Sequence, residues 1–269
     1  MRFVCMFVWM VKAHMDFAAT VYSRFKHIFD GTCELTRDLD FPVLNLTGSG
    51  LRILLIALDS WDRLQPDEDY LAKFLDAHSS ERWVILWEDI WHHREAIAES
   101  RILSFEGNTL RIHGRKCSVK SISDDRCNEF LDQNHLMGST SAKYRYGLFY
   151  QGELVSVATF GRSVPVSRED TEVQSHELIR FCHKMGYHVS GGLSKLIEHF
   201  KRMQKPEDIF TSVDREWSEG SGYARIGFRE ISRTKPLCFY VDGNYVRHKK
   251  VTEGIRICNA GNIRMALTI

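Results

Sequence analysis

Two periods of apolar positions alternate along the chain. Leu51–Leu58 and Trp83–Trp87 are continuous apolar runs of strand length, the pattern of strands buried on both faces. Asp67–Ala77 carries helical spacing, with Tyr70, Leu71, Phe74 and Leu75 on one face. Asp89–Ser104 is also helical, with Ile90, Ala96, Ile97, Ile102 and Leu103 available for packing. Residues 51–110 therefore read as a small α/β module. Ahead of it, Phe17–Phe29 fits a helix and Gly31–Gly50 mixes turn residues with short apolar pieces. Residues 1–50 are expected to be a poorly defined N-terminal extension.

Beyond the module, Arg111–Ile122 alternates like a strand and Asp124–Gln133 reads as a helix. Gly147–Tyr150 and Leu154–Phe160 flank a Gln151-Gly152-Glu153 turn, which predicts a hairpin. Gly161–Gln174 is polar and charged, so it reads as a mobile loop. Glu177–His183 is of strand length, and His188–Gly192 ends in two glycines. Leu193, Leu196, Ile197, Phe200 and Met203 follow at helical spacing, and Pro206 separates them from a second strand, Ile209–Val213. Ser218–Ile226 predicts a short helix stopped by Gly227. Residues 229–243 are expected to close the sheet as a hairpin. Ile255–Leu267 predicts a strand pair around Asn259-Ala260-Gly261-Asn262, within a basic C-terminal extension at 244–269.

A chain of 269 residues with 43% hydrophobic content has ample material for a core, as one large domain or two small ones. The net charge of +1 excludes a general attraction to nucleic acid, although residues 244–269 are locally basic. Seven cysteines, none in Cys-x-x-Cys spacing, argue against a disulfide framework and a zinc ribbon. A reducing cytoplasm is expected. The run Phe3–Val11 is too short to span a bilayer and no small-x-small cleavage site follows it, so neither a membrane span nor a signal peptide is expected.

A glycine turn that opens a helix is an anion site in physical terms. The N–H groups of Gly191, Gly192, Leu193 and Ser194 would point outward without partners, and the helix dipole favours a phosphate there. The alternative is a tight turn with no ligand. The order of parts adds to the signal. Val189-Ser190-Gly191-Gly192-Leu193-Ser194 resembles the Arg/Gln-x-x-Gly-x-Gly/Ala loop of GNAT acyltransferases, between their fourth strand and third helix. Gly192 takes the key glycine and Ser194 the small position; Val189 stands where a basic or amide residue is usual. Tyr223-Ala-Arg-Ile-Gly227-Phe228 resembles the family's Tyr-x-x-x-Gly-Phe signature. The resemblance implies an α+β fold, a GNAT-like mixed β-sheet flanked by helices over 111–243. It also implies acetyl-CoA or another acyl-CoA as cofactor, held by Ser190, Gly191, Gly192, Leu193, Ser194 and Lys195, with no metal.

Acyl transfer from a thioester requires a base for the amine, an acid for the leaving thiolate and a donor for the carbonyl oxygen. Glu177 on the cleft strand is a candidate base, or an ion-pair partner of Arg180 or Arg215. Tyr223 matches the family's frequent acid, or is a packing aromatic. His135 lies in Asn134-His135-Leu136-Met137-Gly138, near Lys143 and Arg145; it is a candidate substrate group or a cap of the preceding helix. Asp214 opens Asp214-Arg215-Glu216-Trp217 and either meets substrate or caps the next turn.

Trp83–Trp91 and Glu99–Ile102 resemble the end of a Vsr-like nuclease region that precedes a GNAT-like domain in certain phage and bacterial proteins. Asp59, Glu88 and Asp89 are the carboxylates at hand. None has a lysine two residues on, so a degenerate docking module is expected rather than a nuclease. The reading is an acyl-CoA-dependent N-acyltransferase, with nucleic acid as one acceptor by analogy to the GNAT-like Mom proteins. The alternative is a non-catalytic GNAT-shaped binding protein in a phage-defence or DNA-repair complex.

Overall fold

The computed structural model describes residues 16–29, 31–168 and 171–269. The apolar run Phe3–Val11 lies outside the described residues. Helix α1 (Phe17–Lys26) starts behind Asp16, whose side chain accepts the Ala18 N–H at 3.2 Å. Strands β1 (Cys33–Thr36), β2 (Val43–Leu46) and β3 (Leu51–Ile56) follow, then α2 (Leu58–Leu64), α3 (Tyr70–Ala77), β4 (Arg82–Trp87) and α4 (Glu88–Phe105). The sheet order is β1-β2-β3-β4, antiparallel except for the parallel β3–β4 step. Both faces are covered, as the continuous apolar runs predict. Ile53, Leu55, Val84 and Leu86 pack towards α1 and α4, while Leu54, Ile56, Ile85 and Trp87 pack with Trp61 and Leu71. Residues 16–50 are therefore part of this module rather than a poorly defined extension, because Phe41, Val43, Leu44 and Leu46 are needed for its two cores.

The rest of the chain begins with β5 (Leu110–His113), a 3-10 turn at Gly114–Lys116, and β6 (Ser118–Ser121). The single strand expected over 111–122 is broken because Gly114 lies against the carbonyls of Ser190 and Gly191; a Cβ there would stand 3.1 Å from both oxygens. Next come α5 (Asp124–Asn134), capped by Ser123, then β7 (Tyr144–Tyr150), β8 (Glu153–Arg168) and β9 (Thr171–His183). The polar stretch 161–174, expected as a mobile loop, instead extends the β8–β9 hairpin as a paired ladder from Ser163↔His176 to Arg168↔Thr171. Val164, Val166, Thr171 and Val173, at alternate positions of their strands, suit an exposed two-stranded ladder better than a loop.

Then follow β10 (Tyr187–Ser190), α6 (Gly192–Gln204), β11 (Asp208–Asp214), α7 (Ser221–Ala224), β12 (Arg229–Arg233), β13 (Cys238–Val241), β14 (Arg247–His248), β15 (Ile255–Cys258) and β16 (Asn262–Thr268). The large sheet has the order β12-β16-β11-β9-β8-β7-β6. Helix α6 buries Leu196, Ile197 and Phe200 on it, and Phe200 stacks on Phe160 with centroids 3.9 Å apart. Burial of each such side chain contributes about 1.5–3 kcal/mol.

Two expectations for the C-terminal part fail. Residues 229–243 do not close as a hairpin, and 244–269 is not an extension. Strand β12 pairs with β16, which lies between β12 and β11, so the last strand is internal to the sheet. Between them, residues 234–261 form a three-stranded insert, β14-β13-β15. The insert packs Val241, Ile257 and Ala260 on the N-terminal module, and Trp61 Nε1 donates to Arg256 O at 3.0 Å. Ile257 and Met265 therefore serve different sheets although they fall in one apolar segment. Cys238 and Cys258, directly opposed on β13 and β15, form a disulfide where none was expected; the pair is local to the insert rather than a framework.

Candidate functional site

The parallel step between β9 and β11 covers only Ser175↔Asp208, His176↔Ile209 and Glu177↔Phe210. Beyond it the strands part, β9 continuing to His183 and β11 to Asp214. Thr211 Oγ1 reaches across the opening and donates to Leu178 O at 2.9 Å. Tyr223, on the short α7, places its hydroxyl against Thr211 at this fork. The helix expected over 218–226 is only four residues long, between Gly220 at φ +78° and the turn at Gly227, φ +99°. Burial raises the Tyr223 pKa, so the phenol keeps its proton at neutral pH.

The glycine turn lies one short strand beyond the end of β9. Gly191 adopts φ +70°, ψ 12°, a left-handed conformation that suits glycine. The first α6 bond runs from Lys195 N to Gly191 O at 3.1 Å, and the N–H groups of Gly192, Leu193 and Ser194 meet no acceptor among the described residues. Ser190 is register partner to His113, which sets the Gly114–Lys116 turn alongside Gly191. Lys195 turns inward: its ammonium donates to Gly114 O at 3.0 Å and to Cys117 O, so it braces the turn. Val189 is buried in the core. Gly192 is buried too, and a Cβ there would stand 3.1 Å from Leu148 Cδ1.

Beside the fork, side chains from both halves of the molecule meet. Helix α4 is broken at Arg94 (φ −137°, ψ 29°), and Arg94 Nη1 donates to Asp132 O at 2.7 Å. Arg180 donates to Gly138 O at 3.3 Å. These two arginines, with Asp132 accepting Ser139 N at 2.7 Å, fix the loop that carries His135. His135 is half-buried and is the C-cap of α5, its N–H bonding Leu131 O at 2.8 Å. Its Nδ1 accepts the Met137 N–H at 3.1 Å, so the neutral ring carries its proton on Nε2. Burial and the charges of Arg101, Arg180 and Arg94 push its pKa down to about 3. It is a neutral hydrogen-bond donor rather than a base.

Arg101 projects from α4 with its guanidinium 5.0 Å above the Trp217 ring. Its charge reaches Asp214, Tyr223, Cys182 and His135. Asp214 ends β11, and its Oδ1 accepts Glu216 N at 2.9 Å. Burial raises the Asp214 pKa, against the opposing pull of Arg101 and Arg247. Glu216, almost fully buried, accepts from Trp87 Nε1 at 3.1 Å and Ala260 N at 3.2 Å. Burial and the neighbouring Asp214 push it up to about 8. Arg247, fork-bonded to Asp89 at 2.5 and 3.0 Å, completes the network.

No family model and no curated protein matches the chain. Among solved structures it is similar to an acetyltransferase of Bacillus subtilis in complex with CoA, at 14% identity and TM-score 0.38, over 57% of this chain and 99% of that one. It is also similar to the ribosomal-protein-S18-alanine N-acetyltransferase of Escherichia coli, at 15% identity and TM-score 0.35, over 57% and 94% of the chains. A third is Arabidopsis thaliana Naa50 with a bisubstrate analogue, at 12% and TM-score 0.37, over 57% and 99%. Similarities at this level carry no argument about chemistry.

The geometry places the expected residues unevenly. Tyr223, Asp214 and His135 share the Arg101 field. Glu177 sits at the last paired position of the fork, within the field of Arg180; an extra residue, Ile179, separates them in the ladder. Arg215 is not its partner, because it bonds Asp76 Oδ1 at 2.6 Å and Ala72 O at 3.4 Å on the N-terminal module. Residues 214–217 thus stitch the fork to that module, with Ile85 N donating to Glu216 O at 2.8 Å. Sequence reasoning missed Arg101 and Glu216, and named Arg180 only as an ion-pair partner of Glu177. Arg101 had a visible signal: it falls four residues after Ile97 and beside Ile102, on the buried stripe of α4. A surface cavity of about 180 Å³ near Asp16 and an open groove of about 450 Å³ on β1–β3 lie on the N-terminal module and contain none of these residues.

Proposed function

We propose that the chain is an acyl-CoA-dependent N-acyltransferase of the GNAT type. The supporting observation is the fork: β9 is the fourth sheet strand counted from β6, it parts from β11 after Phe210, and Tyr223 stands at the opening. The free N–H groups of Gly192, Leu193 and Ser194 suit the pyrophosphate of an acyl-CoA, whose thioester supplies the activated acyl group. The exposed Arg115 and Lys116, beside the turn, offer positive charge that Val189 cannot. Tyr223 holds a proton for the departing sulfur. Asp214, as a carboxylate whose basicity burial raises, takes the proton of the acceptor amine. His135 orients an oxygen atom through Nε2–H, and Glu177 is the second carboxylate at the fork.

Nucleic acid as the acceptor rests on the resemblance to Mom-like proteins alone. A nuclease role for the N-terminal module has no support from its carboxylates. Glu88 accepts Leu58 N at 2.9 Å, Asp89 is held by Arg247, and no metal-binding trio of side chains occurs among the described residues. The non-catalytic reading is favoured by the buried Val189 and the inward Lys195. Mass spectrometry of species that co-purify with the chain, followed by thiol-release assays over amines, peptides and nucleosides, separates the two. Acetyl-CoA consumed with an acylated product supports the enzyme; bound CoA without turnover on any acceptor supports the binding protein.

A further inference from the structure

We propose that Arg264 is a specificity-determining residue that binds a carboxylate on the acceptor amine. The assignment rests on the acyl-transfer reading above. Strand alternation fixes where the side chain stands. On β16, Ile263 and Met265 join the core under α6, so Arg264 and Ala266 face the other side of the sheet. On β11, Ile209 and Val213 take the α6 side, while Phe210 and Ser212, register partners of Ala266 and Arg264, share the opposite one. The Arg264 guanidinium lies 5.2 Å from the centroid of the Phe210 ring. Phe210 is the last β11 residue paired with β9, opposite Glu177, and the two strands part directly after it. The guanidinium therefore stands beside the start of the fork.

The two faces of the sheet divide the substrates. The N–H groups of Gly192, Leu193 and Ser194 open α6, so an acyl-CoA that they hold reaches the fork from the α6 side. The acceptor meets it from the other side, where Ser212, Arg229 and Ser232 are exposed around Arg264. Arg264 is half-buried and has no hydrogen-bond acceptor and no ion-pair partner among the described residues; its Nε is sealed from solvent without one. Withdrawing a guanidinium from water is costly unless an anion or acceptors replace the water. The carboxylates on this face do not fill that role. Asp208 is bonded by Arg168 at 3.2 Å and by Ser175. Asp214, at the far end of β11, is held by the Glu216 N–H at 2.9 Å. Glu177 is one strand beyond Phe210, on β9. Arg229 adds a second positive charge, fully in solvent contact. A single guanidinium lying against a ring, with its N–H fork unpaired, complements a carboxylate, which carries one charge and takes two parallel hydrogen bonds.

Glycylglycine, its neutral match glycylglycinamide, and O-phosphoethanolamine are titrated separately by calorimetry into the full chain saturated with CoA, which permits binding without turnover. The same amines are then assayed for thiol release from acetyl-CoA. The expected result is saturable binding of glycylglycine, about 10-fold or more tighter than the amide, with the same preference in kcat/KM. Arg264→Gln should remove the preference, weakening glycylglycine about 10-fold or more and the amide less than about 2-fold, with CoA affinity unchanged. Arg264→Lys keeps the charge without the fork and should retain part of the preference; it is the second variant should Arg264→Gln fail to fold. Equal binding of the dipeptide and its amide by the wild type, no saturable binding of either, or a loss in the variants common to both overturns the assignment. Tighter binding of O-phosphoethanolamine than of glycylglycine overturns the choice of carboxylate. Selective binding of glycylglycine without thiol release supports the carboxylate contact and overturns the acyl-transfer reading. A wild type that binds no CoA overturns that reading and the acceptor role together.

Discussion

Replacing Glu216 by Gln removes a buried titrating group and keeps the oxygen that accepts from Trp87 and Ala260. The folded carboxyl titrates at about 8, against an ordinary value of 4.5, because burial and Asp214 both disfavour its charge. A carboxyl raised in the folded state holds its proton there more tightly than in the unfolded chain. Its contribution to stability is therefore largest below about pH 4.5 and is lost as pH rises through about 8. A difference of about 3.5 units has a ceiling of about 5 kcal/mol. Arg247 compensates part of the charge, so about 2 kcal/mol is the working figure. Glu216→Gln should thus lie close to wild type at pH 5 and be more stable by about 2 kcal/mol at pH 9. That corresponds to about 4–8 °C in Tm for a domain of this size. Thermal melts of both proteins at half-unit steps from pH 5 to 9 measure it. A Tm difference that stays constant over that range would refute a buried, proton-holding Glu216.

Tyr223→Phe removes only the hydroxyl at the fork and should lower turnover by about 10²-fold, with CoA affinity changed less than about 5-fold; steady-state kinetics beside calorimetry reads both, and unaltered turnover would make Tyr223 a packing residue. Asp89→Ala leaves Arg247 buried without its partner and should destabilise the chain by about 3–5 kcal/mol. Urea unfolding checks this, and a loss below 1 kcal/mol would mean that the insert is not locked to the N-terminal module by this pair.

The helices and buried strands were legible where one period dominates. Leu193, Leu196, Ile197 and Phe200 define α6, and Pro206 after the left-handed Lys205 marks its end. Leu51–Leu58 and Trp83–Trp87 predicted strands covered on both faces, as β3 and β4 are. The path of β16 was not legible, since nothing local tells Ile263 and Met265 to pair with β11 rather than with the adjacent β15. The 161–174 ladder failed for a related reason: its residues are polar because both faces of the hairpin arm are largely exposed, which in sequence looks like a loop. Within the site, the glycine turn and Tyr223 were visible through short spacing. Arg101 was not singled out, because its partners Trp217, His135 and Asp214 lie 34 or more residues away and only folding brings them together.

The measurement closest to the central claim is calorimetry of CoA and acetyl-CoA with wild type and Gly191→Asp. Gly191 is exposed with open space around its Cβ position, and Asp tolerates its left-handed backbone. The new carboxylate would face the free N–H groups of α6, where it helps the helix and repels a pyrophosphate. The account predicts one-to-one binding by wild type, at least 10-fold weaker binding by Gly191→Asp, and a loss of Tm of only a few degrees, the cost of a non-glycine residue at a left-handed position. No binding by wild type, or equal binding by both proteins, would contradict it.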